Sequence, residues 1–196
     1  MPWHSSFAAC CIALWSALAA GDEISRATVV RFNTVCAVCH EGECSGRLSY
    51  SGGAGAARGH MQRYLGKLGE DEAAALFDLL RYTKERCAPY PVATRIPDGG
   101  VWRTADLAPW RNPREGGYYI PLGELRGGAY RLRLAFAGTA AGRLKITDDH
   151  FEVAGEEALR PERTQDVVFR ATSGPHYLTL LGTAELAGLR LEAVAP

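Results

Sequence analysis

The feature that most constrains this chain is a pair of cysteines followed directly by a histidine. Two residues separate Cys36 from Cys39, and His40 comes immediately after the second cysteine. On a helical turn this spacing brings both thiols and the imidazole to neighbouring positions. The chain has six cysteines and five histidines in 196 residues, and random order would produce this pattern only roughly 0.005 times. The pattern therefore indicates a chemical role.

The motif C-x-x-C-H is typical of covalent haem attachment. Each thiol can add to one vinyl group of the same porphyrin, and the next residue, His40, is then held beneath the iron as its proximal ligand. We therefore expect one haem c as the cofactor, attached covalently through Cys36 and Cys39, with iron as the metal.

Zinc binding and dithiol redox chemistry are the alternatives for this motif. A structural zinc site needs a second pair of ligands at finger-like spacing, but beyond the N-terminal residues 1–20 only Cys44 and the distant Cys87 remain. A thioredoxin-like dithiol should open the helix of a βαβ unit, whereas the residues before Cys36 have a helical pattern. Both alternatives fit the sequence less well than haem does.

Helical patterns surround the motif. Asp22 is a candidate N-cap of a helix that runs to Cys36, and a Gly- and Ser-rich loop is predicted over residues 42–55. A short helix is predicted over residues 57–68, and Asp71 is a candidate N-cap of the last helix. The apolar positions of that helix recur at helical spacing: Ala73, Leu76, Phe77 and Leu80.

Residues 21–87 resemble a small monohaem cytochrome c domain. The resemblance rests on the order helix, C-x-x-C-H, loop and amphipathic C-terminal helix, the last carrying Leu-Leu-x-Tyr-x-Lys at residues 79–84. It implies an all-α domain in which one helix packs across the N-terminal helix over the haem. It also implies an electron carrier, rather than a catalyst, that works with redox partner proteins in the periplasm.

The sixth position on the iron has two candidate ligands, Met61 and His60. They are adjacent on a predicted helix, so their side chains point about 100° apart and normally only one can reach the iron. Met61 shares a helix face with Tyr64 and Leu65, and His60 lies at the edge of the same face. A methionine would raise the reduction potential and a histidine would lower it, so the sequence leaves both ligands and an open site as possibilities.

Cys44 and Cys87 are the remaining cysteines of the haem segment. In an exported domain spare cysteines usually pair, so we expect a Cys44–Cys87 disulfide, with two free thiols as the alternative. A bridge that closes a loop of about 43 residues would contribute roughly 3–4 kcal/mol of stability.

The N-terminus has the pattern of a signal peptide. Residues 1–20 contain no charged side chain, residues 7–20 are mostly apolar, and Ala17, Ala19 and Ala20 suit a signal peptidase. We expect residues 1–20 to be removed and the mature protein to be exported, without spanning the membrane after cleavage. A buried first helix is the alternative.

The second half of the chain changes from helical to strand periodicity. Prolines and glycines over residues 88–100 predict a linker. From residue 101 to 196, short alternating segments separated by turn residues predict an antiparallel β-sandwich. Residues 174–180 and 189–194 resemble the closing hairpin of jelly-roll sugar-binding modules, so the sandwich is expected to be jelly-roll-like and to contact glycan or protein.

Few side chains of this half suggest a second site. Exposed aromatic residues could bind sugar, but aromatic residues more often lie in a core. The candidates are Trp102, Trp110, Tyr118 and Tyr119. Asp148, Asp149 and His150 could contact a metal, although a turn explains the acidic pair more simply. His176 follows Pro175 and is predicted to be a surface turn residue.

Charge excludes one class of function. The chain has 22 basic and 22 acidic residues, which argues against nucleic acid as a partner because phosphate binding needs a surplus of cations. The leading hypothesis is thus an exported single-electron carrier. The alternative is a haem enzyme or sensor for peroxide or small gases at an open or exchangeable sixth site, where His60 or Arg63 could transfer protons.

Overall fold

A computed structural model describes residues 24–40, 53–92 and 96–194. Its first part is helical and its second part is a pair of β-sheets joined by short helical turns. The helices are α1 (Arg26–Arg31), a π-helical segment (Phe32–Cys36), α2 (Ala37–His40), α3 (Gly53–Leu65), α4 (Glu70–Arg86) and α5 (Thr104–Leu107), with 3-10 turns at Asp98–Gly100 and Ala108–Trp110. No described helix is long and apolar enough to cross a bilayer.

The first helix runs from Arg26 to His40 through the π-helical segment. Its N-cap is Ser25, whose side chain accepts a hydrogen bond from the backbone N–H of Thr28. The prediction that Asp22 caps this helix is therefore wrong, since the helix begins at Arg26. A hydroxyl directly before the first turn satisfies the free N–H groups, which is why the start lies later than the sequence suggested.

The two later helices begin earlier than predicted. Helix α3 covers Gly53–Leu65 rather than residues 57–68, and α4 starts at Glu70 with Gly69 as its N-cap. Asp71 therefore lies in the first turn of α4 and is not the cap. Its carboxylate and those of its two neighbours there still interact favourably with the positive end of the helix dipole.

The β-sandwich over the second half is confirmed. Two four-stranded antiparallel sheets have the orders β1-β8-β3-β6, here sheet I, and β2-β7-β4-β5, here sheet II. These orders correspond to jelly-roll connectivity, because each sheet alternates early and late strands. The strands are β1 (Val101–Arg103), β2 (Tyr118–Leu125), β3 (Gly128–Phe136), β4 (Gly142–Asp148), β5 (Val153–Leu159), β6 (Thr164–Ala171), β7 (Gly174–Gly182) and β8 (Leu186–Ala193).

The two outer faces of the sandwich differ in burial. In β6 of sheet I the buried and exposed residues alternate strictly, as expected for a strand with one solvent face. In β2 of sheet II every residue except Glu124 is buried. A strand buried on both faces must be covered on its outer side. Residues of the first helix provide this cover, since they line a cleft together with sheet II side chains.

Candidate functional site

An apolar cavity of about 300 Å³ lies between the three main helices. Its walls come from the first helix, α3 and α4, and nearly all of its exposed lining surface is carbon. Tyr64, a lining residue, is 62% exposed, so the cavity reaches the protein surface. The lining residues are Phe32, Val35, Cys36, Cys39, His40, Ala57, His60, Met61, Tyr64, Leu65, Leu76, Phe77 and Leu80.

All three residues of the C-x-x-C-H motif line this cavity. Cys36 ends the π-helical segment, and Cys39 and His40 lie in the following helical turn. Both thiols are free. π-Helical turns insert one extra residue into a helix and occur frequently at functional sites. The turn before Cys36 therefore belongs to the local structure that sets the direction of the motif side chains.

Burial shifts the pKa values of Cys36 and His40 from their ordinary values. It raises the pKa of Cys36 to about 11, so this thiol is protonated at neutral pH. A reactive redox dithiol needs the opposite shift of its thiol pKa. Burial, aided by the nearby His60 and Lys84, lowers the pKa of His40 and favours the neutral imidazole that coordinates metals.

Both candidate sixth ligands line the cavity, but they have different surroundings. The ring of His60 packs edge-on against that of His40, with centroids 5.8 Å apart. The ring of Tyr64 also lies near that of His60, with centroids 5.2 Å apart. Met61 is only 8% exposed and belongs to the hydrophobic core with Leu65. The structure thus places the imidazole of His60 beside that of His40.

The residues before the motif are held by hydrogen bonds from the β-sandwich. The Thr34 hydroxyl donates to the carbonyl of Val30 at 2.8 Å, and the Asn112 amide donates to the same hydroxyl at 2.8 Å. Gly117, at φ +84°, also lies against this turn. A Cβ there would lie 2.8 Å from the Leu180 carbonyl oxygen and 3.4 Å from the Thr34 side chain. The sandwich backbone therefore approaches the π-helical segment closely.

A buried arginine joins the helices to the sandwich. Arg31, 6% exposed, hydrogen-bonds both carboxylate oxygens of Glu115, and it also pairs with Glu72 of α4. Its Nη2 donates to the Leu65 carbonyl at 3.0 Å. Burial opposes ionisation of Glu115, but hydrogen bonds from Arg31 and Asn112 outweigh it and lower the pKa of that carboxyl. Nothing in the local sequence pattern indicated this network, because its members lie far apart along the chain.

A second, smaller cleft lies on the side of the first helix that faces sheet II. It measures about 30 Å³, close to the space of one water molecule. His40 lines it together with Arg143 and Lys145 of β4 and the buried Tyr119 of β2. His40 thus lies between an apolar cavity and a polar surface that the β-sandwich supplies.

The aromatic residues at the start of the second half are buried. Trp102, Trp110, Tyr118 and Tyr119 are all at most 8% exposed, which confirms that they are core residues and not a platform for sugars. The guanidinium carbon of Arg26 lies over the Trp110 ring, 4.7 Å from its centroid. This is another contact between the helical part and the β-sandwich part.

The acidic cluster is a turn, as predicted. Asp148, Asp149 and His150 place possible ligand atoms within 4.8 Å of one another. However, one oxygen of the buried Asp148 accepts hydrogen bonds from the backbone N–H groups of His150 and Glu152, and the other accepts from the Thr172 hydroxyl. These hydrogen bonds satisfy both oxygens of the Asp148 carboxylate, so its burial does not require a metal ion.

The prediction for His176 is wrong. It lies inside β7, is 0% exposed and faces Phe169 in the sandwich interior. Its Nδ1 lies 3.0 Å from the Gly174 carbonyl oxygen, while Nε2 has no partner. Strand pairing already begins at Gly174, opposite Leu125, so the turn expected around Pro175 does not extend to His176.

Two predictions reach beyond the described residues. Cys87 is disulfide-bonded, but Cys44 lies outside the described ranges, so the Cys44–Cys87 pairing stays a prediction. The signal peptide over residues 1–20 and most of the predicted loop over 42–55 also lie outside them.

No protein-family model and no curated protein matches the chain. Among solved structures, a family 35 carbohydrate binding module from Clostridium thermocellum is 14% identical, over 39% of this chain and 70% of the module, with a TM-score of 0.30. The carbohydrate binding module CBM6cm-2 of Cellvibrio mixtus lichenase 5A is 15% identical, over 43% and 84%, at 0.31. The GH115 4-O-methyl-α-glucuronidase BtGH115A is 15% identical, over 72% and 24%, at 0.34. Similarity at this level assigns no function to the chain.

Proposed function

We propose that this protein is an exported c-type cytochrome that transfers single electrons through one covalently bound haem. The observation that supports the proposal most strongly is that Cys36, Cys39 and His40 all line one apolar cavity, in a sequence order typical of haem attachment. When bound, the haem would supply an iron that alternates between two oxidation states.

The residues present fit this cofactor in both chemistry and surroundings. Cys36 and Cys39 would hold the porphyrin through thioether bonds, and the neutral His40 would bind the iron. Carbon-rich walls from Phe32 and Leu76 exclude water and keep the local dielectric low, which favours a flat apolar ligand. Because burial raises the pKa of the Cys36 thiol, the dithiol alternative has less support than haem.

The β-sandwich would stabilise the electron-transfer site rather than form an independent domain. Its residues Asn112 and Glu115 hold the helix that carries the motif, and Tyr119, Arg143 and Lys145 approach His40 from the other side. Contact with a redox partner or a glycan stays a proposal. A glycan site would have to use residues other than the buried Trp102 and Trp110.

Export belongs to the same proposal. Uncharged residues 1–20 suit a signal peptide, and disulfide-bonded Cys87 is typical of oxidising compartments. The proposal thus places the mature protein in the periplasm or in another exported location.

A pair of visible spectra tests the function. The full chain, produced in a host that matures c-type cytochromes, is recorded oxidised and reduced beside Cys36→Ala/Cys39→Ala. Val38→Ala is the matched control, because Val38 lies within the motif but is 43% exposed and outside the cavity. We expect a reversible c-type spectrum for the wild type and V38A only. A wild-type chain without any haem spectrum would disprove the proposal.

A further inference from the structure

The proximity of His40 and His60 indicates which side chain would be the sixth ligand of the iron. This inference rests on the proposed haem. The two imidazole centroids are 5.8 Å apart and the rings are inclined by 72°. Two imidazoles that share one metal, each nitrogen about 2.0–2.1 Å from it, have centroids about 6 Å apart. The side chains therefore already have the separation that a shared metal requires.

The position of His60 on α3 supports the same arrangement. Tyr64 follows one helical turn later, and its ring centroid lies 5.2 Å from that of His60. This aromatic contact restricts the rotation of the His60 imidazole. Met61, next in sequence, also lines the cavity, but its side chain leaves the helix about 100° away from that of His60 and belongs to the hydrophobic core with Leu65.

We infer that His60, and not Met61, is the sixth ligand, so that two histidines of this chain hold the iron. Two imidazoles give a lower reduction potential than an imidazole and a methionine sulfur. They also fill both axial positions with side chains. The site would therefore carry electrons and would not bind peroxide or small gases at an open position, in contrast to the enzyme or sensor alternative.

Paired variants of the haem-bearing full chain test the inference. We compare wild type, His60→Ala and the nearly isosteric Met61→Leu by oxidised absorption and electron paramagnetic resonance spectra, and by carbon monoxide binding to the reduced protein. We expect wild type and M61L to share a low-spin spectrum without a sulfur-to-iron band in the red, and to bind no carbon monoxide. H60A should become high-spin and bind carbon monoxide rapidly, and added imidazole should restore the wild-type spectrum.

The outcomes separate this inference from the proposed function. A wild-type chain without haem overturns both. A haem-bearing wild type with the sulfur-to-iron band, or one in which only M61L changes the spectrum, overturns the inference alone. Rapid carbon monoxide binding by the wild type also overturns it, because it shows an open or exchangeable sixth position. If H60A loses haem, His60→Gln with imidazole rescue provides the same comparison.

Discussion

Replacement of Arg31 by methionine should destabilise the protein strongly, since this residue ties three parts of the structure together. Its side chain is 7% exposed and pairs with Glu72 of α4 and Glu115 of the sandwich. The substitution keeps most of the side-chain volume but removes the positive charge that pairs with both carboxylates. It also leaves the Leu65 carbonyl without the Nη2 donor that Arg31 provides at 3.0 Å.

The structure sets the size of the loss. Removing one partner of a fully buried ion pair costs about 3–5 kcal/mol. Here Glu72 and Glu115 are 29% and 26% exposed, so water can partly solvate them after the substitution. We therefore expect Arg31→Met to lose about 2–3 kcal/mol, which lowers Tm by about 4–12 °C in a chain of this length.

Arg114→Met is the matched control. Arg114 also pairs with Glu72, at 3.2 Å, but its side chain is 59% exposed, so its loss should cost about 0–1 kcal/mol. Urea unfolding of the haem-bearing chain, followed by far-UV circular dichroism and haem absorbance, measures both variants. A loss below about 1 kcal/mol for R31M, or one equal to that of R114M, would refute the role assigned to Arg31.

Three further predictions concern the same contact between helix and sandwich. Asn112→Ala removes the hydrogen bond to Thr34 and the two that Asn112 Oδ1 accepts from the backbone N–H groups of Arg114 and Glu115. It should cost about 1–3 kcal/mol in urea unfolding, and an unchanged midpoint would refute the role of these contacts. Gly116 and Gly117 both have positive φ, at +79° and +84°, but only a Cβ at Gly117 would lie within 3 Å of backbone. Gly117→Ala should therefore lower Tm more than Gly116→Ala. Equal losses would show that the positive φ, and not the close approach of backbone, determines the cost. The lowered pKa of Glu115 in the folded state means that its contribution is complete above the ordinary value of 4.5. This contribution is lost as pH falls through that value towards the folded pKa, so Glu115→Gln should flatten the decline of stability measured between about pH 3 and 6.

The sandwich could be predicted because its strands carry local signals. Alternation in β6 marks one buried face, with Val167, Phe169 and Ala171 pointing inward. The same reasoning could have placed His176 in the interior, because it lies on the same face of β7 as the fully buried Leu178 and Leu180. The turn signal of Gly174-Pro175 outweighed that alternation, although strand pairing in fact starts at Gly174.

The helix starts were missed for a different reason. Several capping residues lie close together near each start, and local sequence does not rank them. Ser25 was available beside Asp22, and α4 begins after Gly69 without any side-chain cap. Boundaries of this kind depend on which backbone N–H groups tertiary contacts leave free.

The motif of the candidate site was visible in the sequence, whereas its support was not. The motif residues lie within five positions of the sequence and line the same cavity: Cys36, Cys39 and His40. The pairing of Arg31 with Glu115 joins residues 84 positions apart, and no periodicity records such a contact. The preference for His60 over Met61 also depends on how α3 packs against the first helix.

Covalent attachment of one haem at Cys36 and Cys39 is the central claim, and an intact mass measured under denaturing conditions tests it most directly. The full chain would be produced with c-type maturation, and proteolytic peptides would be mapped afterwards. We expect a mass increase of one haem, located on the peptide that contains both cysteines. An unmodified chain in which Cys36 and Cys39 both react with an alkylating reagent would contradict it.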